Sequence, residues 1–175
     1  MSLDAADAIL GAIGLTRVTR WSFVLPINLP SANAHVINGK QAASAAIYRA
    51  QRDKWAWWAE VGAREQGIPL FFVLFRAPGV APCRRRVTIT RLLGARQRDY
   101  DDDNLVAACK GLRDAMQRPR MSRRRHIPGA AIVVDDSAKW SEWRYAQERA
   151  PDGKPAVRVE IEDITEPAVA SAEGK

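Results

Sequence analysis

Cysteine is scarce in this 175-residue chain: only Cys83 and Cys109 occur. They allow one disulfide at most, which excludes a cystine-stapled secreted scaffold and fits a reducing cytosol. Their spacing makes no metal knuckle. Histidine is equally sparse, and His35 reads as a loop hydrogen-bonder rather than a ligand. No apolar run approaches the roughly 18 residues needed to span a bilayer. Ile9, Leu10, Ile13 and Leu15 lie near the start, but Asp4 and Asp7 stand where a signal peptide needs positive charge. Internal repeats are absent. A cytoplasmic location is expected.

Hydrophobic residues make up 47% of the chain and charged residues 27%, enough to form a core and to exclude wholesale disorder. One domain is expected over residues 18–165, with an N-terminal extension at 1–17 and a frayed tail at 166–175. The six tryptophans are core or interface candidates first and base-stacking candidates second.

The net charge of +7 is unevenly spread. From Arg84 to Arg125 there are 13 Arg or Lys against 5 Asp, while the remainder is nearly neutral. A basic band on a neutral body is the footprint of a phosphate-backbone binder, although a solubilising surface loop has the same composition.

Trp21, Phe23 and Leu25 alternate as in a first strand, which Pro26 and Pro30 end. Residues 30–35 read as a turn. Ala42 to Gln66 contains no Pro and no Gly before Gly62, so a long helix is expected through Ile47, Trp55, Trp58 and Val61, stopped by Gly67-Ile68-Pro69. Leu70 to Phe75 is a continuous apolar run of strand length. Val87 and Ile89 alternate with Thr88 and Thr90 as a further strand, after a basic loop. A second helix should run from Asp102 or Asp103 to Gln117. Arg118 to Gly129 reads as a loop, and Ala130 to Val134 as a strand leading into Asp135-Asp136. Trp140–Gln147 and Val157–Ile161 read as two strands, with Asp152-Gly153 as the turn of a hairpin between them.

Within the basic band, Arg98-Asp99-Tyr100-Asp101-Asp102-Asp103-Asn104 packs four carboxylates into five residues. Asp-rich runs commonly serve as helix caps and solvated turns. In an extended segment, however, Asp101 and Asp103 point the same way. Asp136, or Asp135, could join them from another part of the chain. Three hard oxygen donors suit Mg²⁺ or Mn²⁺. Lys110 lies two helical turns beyond Asp103 on one face, and Asp114 is placed to pair with it. His126, in the basic loop, is a weaker general-base candidate.

Together these pieces resemble the RusA family of Holliday-junction resolvases and their phage-encoded relatives. The resemblance runs from Leu25-Pro26 and Leu29-Pro30-Ser31-Ala32-Asn33, through the long helix and Val87-Thr88-Ile89-Thr90. It continues with Asp101-Asp102-Asp103-Asn104-Leu105, Lys110, Asp114-Ala115-Met116 and Asp135-Asp136-Ser137, and closes on the final hairpin. It implies an α+β fold, a small mixed sheet packed by two main helices, and a homodimer. The implied activity is a Mg²⁺-dependent endodeoxyribonuclease that cuts four-way DNA junctions, with Mn²⁺ as a substitute ion. The implied metal ligands are Asp101, Asp103 and Asp136, with Lys110 as the essential lysine. The family's simplest pattern places that lysine four residues after the second aspartate, where this chain has Ala107; Lys110 stands one turn further along. Arg84, Arg85, Arg86, Arg96, Arg98, Arg123, Arg124 and Arg125 would hold DNA backbones. A catalytically silent branched-DNA binder and a nuclease without junction preference are the alternatives.

Overall fold

A computed structural model describes residues 20–30, 41–71, 83–122 and 125–164. The N-terminal extension, residues 31–35 of the expected turn, most of the 70–75 run and the tail lie outside these residues. The elements are β1 (Arg20–Leu25), α1 (Gln41–Glu65), β2 (Arg84–Leu93), α2 (Asp102–Met116), β3 (Arg120–Ser122), β4 (Arg125–Ile127), β5 (Ser141–Arg149) and β6 (Ala156–Ile164). The architecture is α+β, with two helices and a mixed sheet among the described residues.

The main sheet has the order β1-β6-β2-β5, antiparallel except for the parallel β2–β5 pair. Its register lines up rows of side chains across all four strands. Trp21, Ile161, Val87 and Trp143 make one row, and Phe23, Val159, Ile89 and Tyr145 the next. These rows face the helices and supply much of the core. Because side chains alternate along a strand, the opposite face carries the intervening residues. There Arg20, Glu162, Arg86 and Glu142 form a row of alternating charge, tied by ion pairs of 2.9–3.6 Å.

Small residues let α1 lie close to its neighbours. Arg52, Trp55, Ala56, Ala59 and Ala63 form its buried stripe, at the spacing of one helical face. A Cβ on Gly62 would stand 2.6 Å from the Phe23 ring, so β1 and α1 meet backbone against aromatic face. The helix ends as expected. Gly67 adopts φ +67°, its N–H donates to Arg64 O, and Ile68 N–H reaches back to Ala63 O, closing a Schellman motif.

Four local expectations need correction. Arg84–Arg86 is strand rather than loop, since β2 begins there. Residues 118–129 are not all loop, because they hold the β3–β4 ribbon. Residues 130–134 are buried but form no strand: Ala130, Ala131, Ile132 and Val133 donate their N–H groups to Ala115, Met116 and Gln117 carbonyls at the end of α2. Nor do β5 and β6 form a hairpin. Asp152-Gly153 turns the chain, with Gly153 at φ +68°, but β2 lies between the two strands. In the described part of the 70–75 run, Leu70 and Phe71 are irregular, and Phe71 N–H bonds Ala131 O.

Candidate functional site

The acidic cluster sits where the loop after β2 enters α2. Asp101 is the N-cap, in extended conformation. One of its carboxylate oxygens accepts the Asn104 N–H at 2.8 Å and the other accepts the Asn104 side-chain amide at 2.8 Å. The Asn104 backbone bond, then its side-chain bond, holds the Asp101 carboxyl below the usual range. Asp102 and Asp103 follow in the first turn, where negative charge complements the helix dipole. All three aspartates are exposed.

Several side chains from the sheet clamp the incoming loop. Gln147, on β5, grips Tyr100 by its backbone: its amide oxygen accepts Tyr100 N–H at 3.0 Å and its NH₂ donates to Tyr100 O at 2.6 Å. Buried Arg91 lays its guanidinium 3.6 Å from the Tyr100 ring centroid and donates to Arg98 O at 3.0 Å. Arg149 donates to Gln97 O at 2.7 Å. The residue immediately before the capping aspartate is thus held by Gln147 and Arg91, and the loop leading to it by Arg91 and Arg149. These positioning residues escaped the sequence reading. The available signal was a polar residue, Gln147, at a core-facing step of β5, two residues beyond Tyr145.

Lys110 is exposed, and its seven-residue offset from Asp103 puts both on the solvent side of α2, about 10 Å apart along the axis. The expected Lys110–Asp114 pair is replaced, because Asp114 accepts the Tyr48 hydroxyl of α1 at 3.0 Å. Burial, followed by the charge of Asp114, pushes that hydroxyl up to about 12.

Asp136 does not join the cluster. Its carboxylate lies 3.6 Å from the Arg113 guanidinium, ten residues beyond Asp103, or about 15 Å of helix rise. Asp135 is turned inward on its own loop, accepting the Ser137 N–H at 2.8 Å and the Ser137 hydroxyl at 2.5 Å. Among the described residues, no three His, Cys, Asp or Glu side chains gather closely enough to hold a metal ion. In this arrangement the donor chemistry suits Mg²⁺, but the geometry does not make its cage.

The arginines divide by environment. Arg96 and Arg98 are exposed on the loop that delivers Asp101. Arg85 is a correction: at 1% exposure it is core, not a DNA contact. It is bonded to Asp163 at 2.7 Å and to the Pro69 and Ile132 carbonyls, with its guanidinium 4.2 Å from the Phe71 ring centroid. Arg86 is shared between Glu142 and Glu162 on the charge-balanced outer face, a poor place for a polyanion. Arg84 is half-buried on β2. Arg123 and Arg124 lie outside the described residues, as does the side chain of Arg125. Cys83 and Cys109 are free thiols, and burial pushes them up to about 11 and about 12, so neither is a nucleophile at neutral pH. No described helix is long and apolar enough to cross a membrane. No protein-family model matches the chain, and no curated protein does.

Proposed function

We propose that this chain is a RusA-type endodeoxyribonuclease that resolves four-way DNA junctions, acting as a homodimer with a divalent metal requirement met by Mg²⁺ or Mn²⁺. One observation carries the reading: Gln147 and Arg91 hold Tyr100, the residue before Asp101, so that the exposed Asp101 and Asp103 are presented at the head of α2 beside the exposed Arg96 and Arg98. Arg96 and Arg98, exposed on the loop that precedes the aspartates, would hold phosphates, which positions DNA without reading its sequence. Lys110, on the same helix face as Asp103, supplies positive charge toward a phosphate undergoing attack. A two-fold enzyme matches a two-fold junction and makes symmetric nicks.

The second reading, a branched-DNA binder that does not cut, is favoured by the position of Asp136 against Arg113, outside any metal cage. A labelled synthetic four-way junction and a matched linear duplex, each incubated with Mg²⁺ or EDTA, separate the two. Paired, metal-dependent nicks in the junction alone support the resolvase, and Asp103→Asn should then abolish cutting while junction binding persists. Tight junction binding with no cutting at any Mg²⁺ or Mn²⁺ concentration establishes the binder. Equal cutting of linear duplex removes the junction preference.

A further inference from the structure

The β3–β4 ribbon has a construction that neither the core nor the aspartate cluster explains. Its strands are three residues each and form a separate two-stranded sheet, pairing Arg120 with Ile127, Met121 with His126 and Ser122 with Arg125. All three residues of β3 are exposed. So short a ribbon is marginal in water without a partner surface.

Its base, in contrast, is fixed. A Cβ on Gly129 would fall 2.1 Å from Gln117 O, so the two legs cross backbone against backbone. Ala130 N–H bonds Ala115 O and Ala131 N–H bonds Gln117 O, fastening the return leg to the end of α2. The result is an arm set at a defined place on the same helix that carries Asp101 and Asp103 at its other end.

Two chemical features identify what the arm meets. From Ala115 to Val134 the chain contains no Asp or Glu, but five arginines and a histidine. A second copy of this arm would be repelled, and a polyanion attracted. Met121 is 67% exposed, more than Val24, Trp57 or Val106, the other large apolar residues left in solvent among the described residues. Cross-strand partners share one face of a ribbon, so Met121 and the exposed His126 present an apolar and a flat side chain together. Apolar side chains on short arms insert between base steps, and the unstacking they need costs least where stacking is already broken.

We propose that the ribbon is a DNA-insertion arm: Met121 and His126 wedge against the unstacked bases at a branch point, while Arg118 and Arg120 hold the flanking phosphates. The inference rests on the branched-DNA reading above and adds its source of structure selectivity.

The test uses the full chain in EDTA, so that binding is read without cutting, and a four-way junction carrying 2-aminopurine at the branch point. Wild type should raise the 2-aminopurine fluorescence on binding. Met121→Ser should remove that rise and weaken junction binding by about tenfold, with linear-duplex affinity and the salt slope unchanged. Arg118→Gln with Arg120→Gln should weaken both DNAs and reduce the slope of log K against log salt by about 2. Because the arm lies outside the core, thermal unfolding should be unaltered in both variants. Wild-type binding and fluorescence in both variants would overturn the proposal, as would a change of sedimenting mass with DNA binding intact, which makes the ribbon a protein contact. If wild type wedges the junction but does not cut it in Mg²⁺, the nuclease reading fails and the arm stands. If wild type binds no junction, both fall.

Discussion

Replacing Gln147 by Met keeps the length and volume of the side chain but removes its amide. Two hydrogen bonds to the Tyr100 backbone disappear, at 3.0 and 2.6 Å, and the half-buried N–H and C=O lose their fixed partners. Each such bond contributes about 1 kcal/mol net, giving about 2 kcal/mol for the pair. Spread over the whole fold, that loss lowers the melting temperature by about 4–8 °C for a chain of this size. Concentrated in the loop, it changes the ratio of ordered to open forms by up to roughly thirtyfold. Activity on junctions should therefore fall by more than the loss of folded protein explains. Gln147→Glu sharpens the comparison, because it keeps an acceptor for Tyr100 N–H but offers Tyr100 O a carboxylate instead of a donor. Junction cleavage and urea unfolding, measured on wild type and both variants, give the answer. Wild-type cleavage by Gln147→Met at a temperature where it is fully folded would refute the claim that the clamp positions the aspartates.

Three other perturbations have definite outcomes. Asp163→Ala leaves the Arg85 guanidinium buried without its carboxylate, though still bonded to two carbonyls, and should cost about 3 kcal/mol in urea unfolding. Gly111→Ala places a Cβ 2.8 Å from the Trp55 ring where α1 crosses α2, and should destabilise by about 1–3 kcal/mol, visible as a lower melting temperature. The Asp101 carboxyl is depressed by its bonds to Asn104, so its capping contribution is complete above the ordinary aspartate range and disappears as pH falls through the depressed value. Melting temperatures of wild type and Asp101→Ala should accordingly differ at pH 7, begin to approach each other only below about pH 4, and converge once pH has fallen past the depressed value.

Strong local patterns were legible in the sequence. The alternation of Trp21, Phe23 and Leu25, the long glycine-poor stretch ended by Gly67-Ile68-Pro69, and the acidic start of α2 each specify an element through neighbours one to four residues away. What failed was non-local. Asp152-Gly153 has the chemistry of a turn, but turn chemistry does not say which strands then pair, and β2 came to lie between β5 and β6. The ribbon was missed because strands of three residues are too short to carry an apolar alternation that can be read. Arg85 looked like surface charge because its carboxylate partner is 78 residues away. Around the candidate site, Asp101, Asp103 and Lys110 are a local pattern at the cap and along one helix, visible in the sequence, whereas the Gln147 clamp and the Arg113–Asp136 pairing depend on contacts across the sheet and between loops.

The strand order sets a schedule for folding. Among the described residues β1 pairs only with β6, whose last residue is Ile164, so Phe23 waits for Val159. Emerging from a ribosome, the chain would make both helices, β2 and β5 before the central strand exists. Until then the apolar sides of β1 and β2 have no strand between them, and the sheet closes in one late step by insertion of β6. Such long-range closure is slow, since loop entropy must be overcome before the contact stabilises anything. A chain stopped at Pro155 would therefore not be a smaller version of this protein; it would be one with two unjoined sheet edges, open to pairing with other chains.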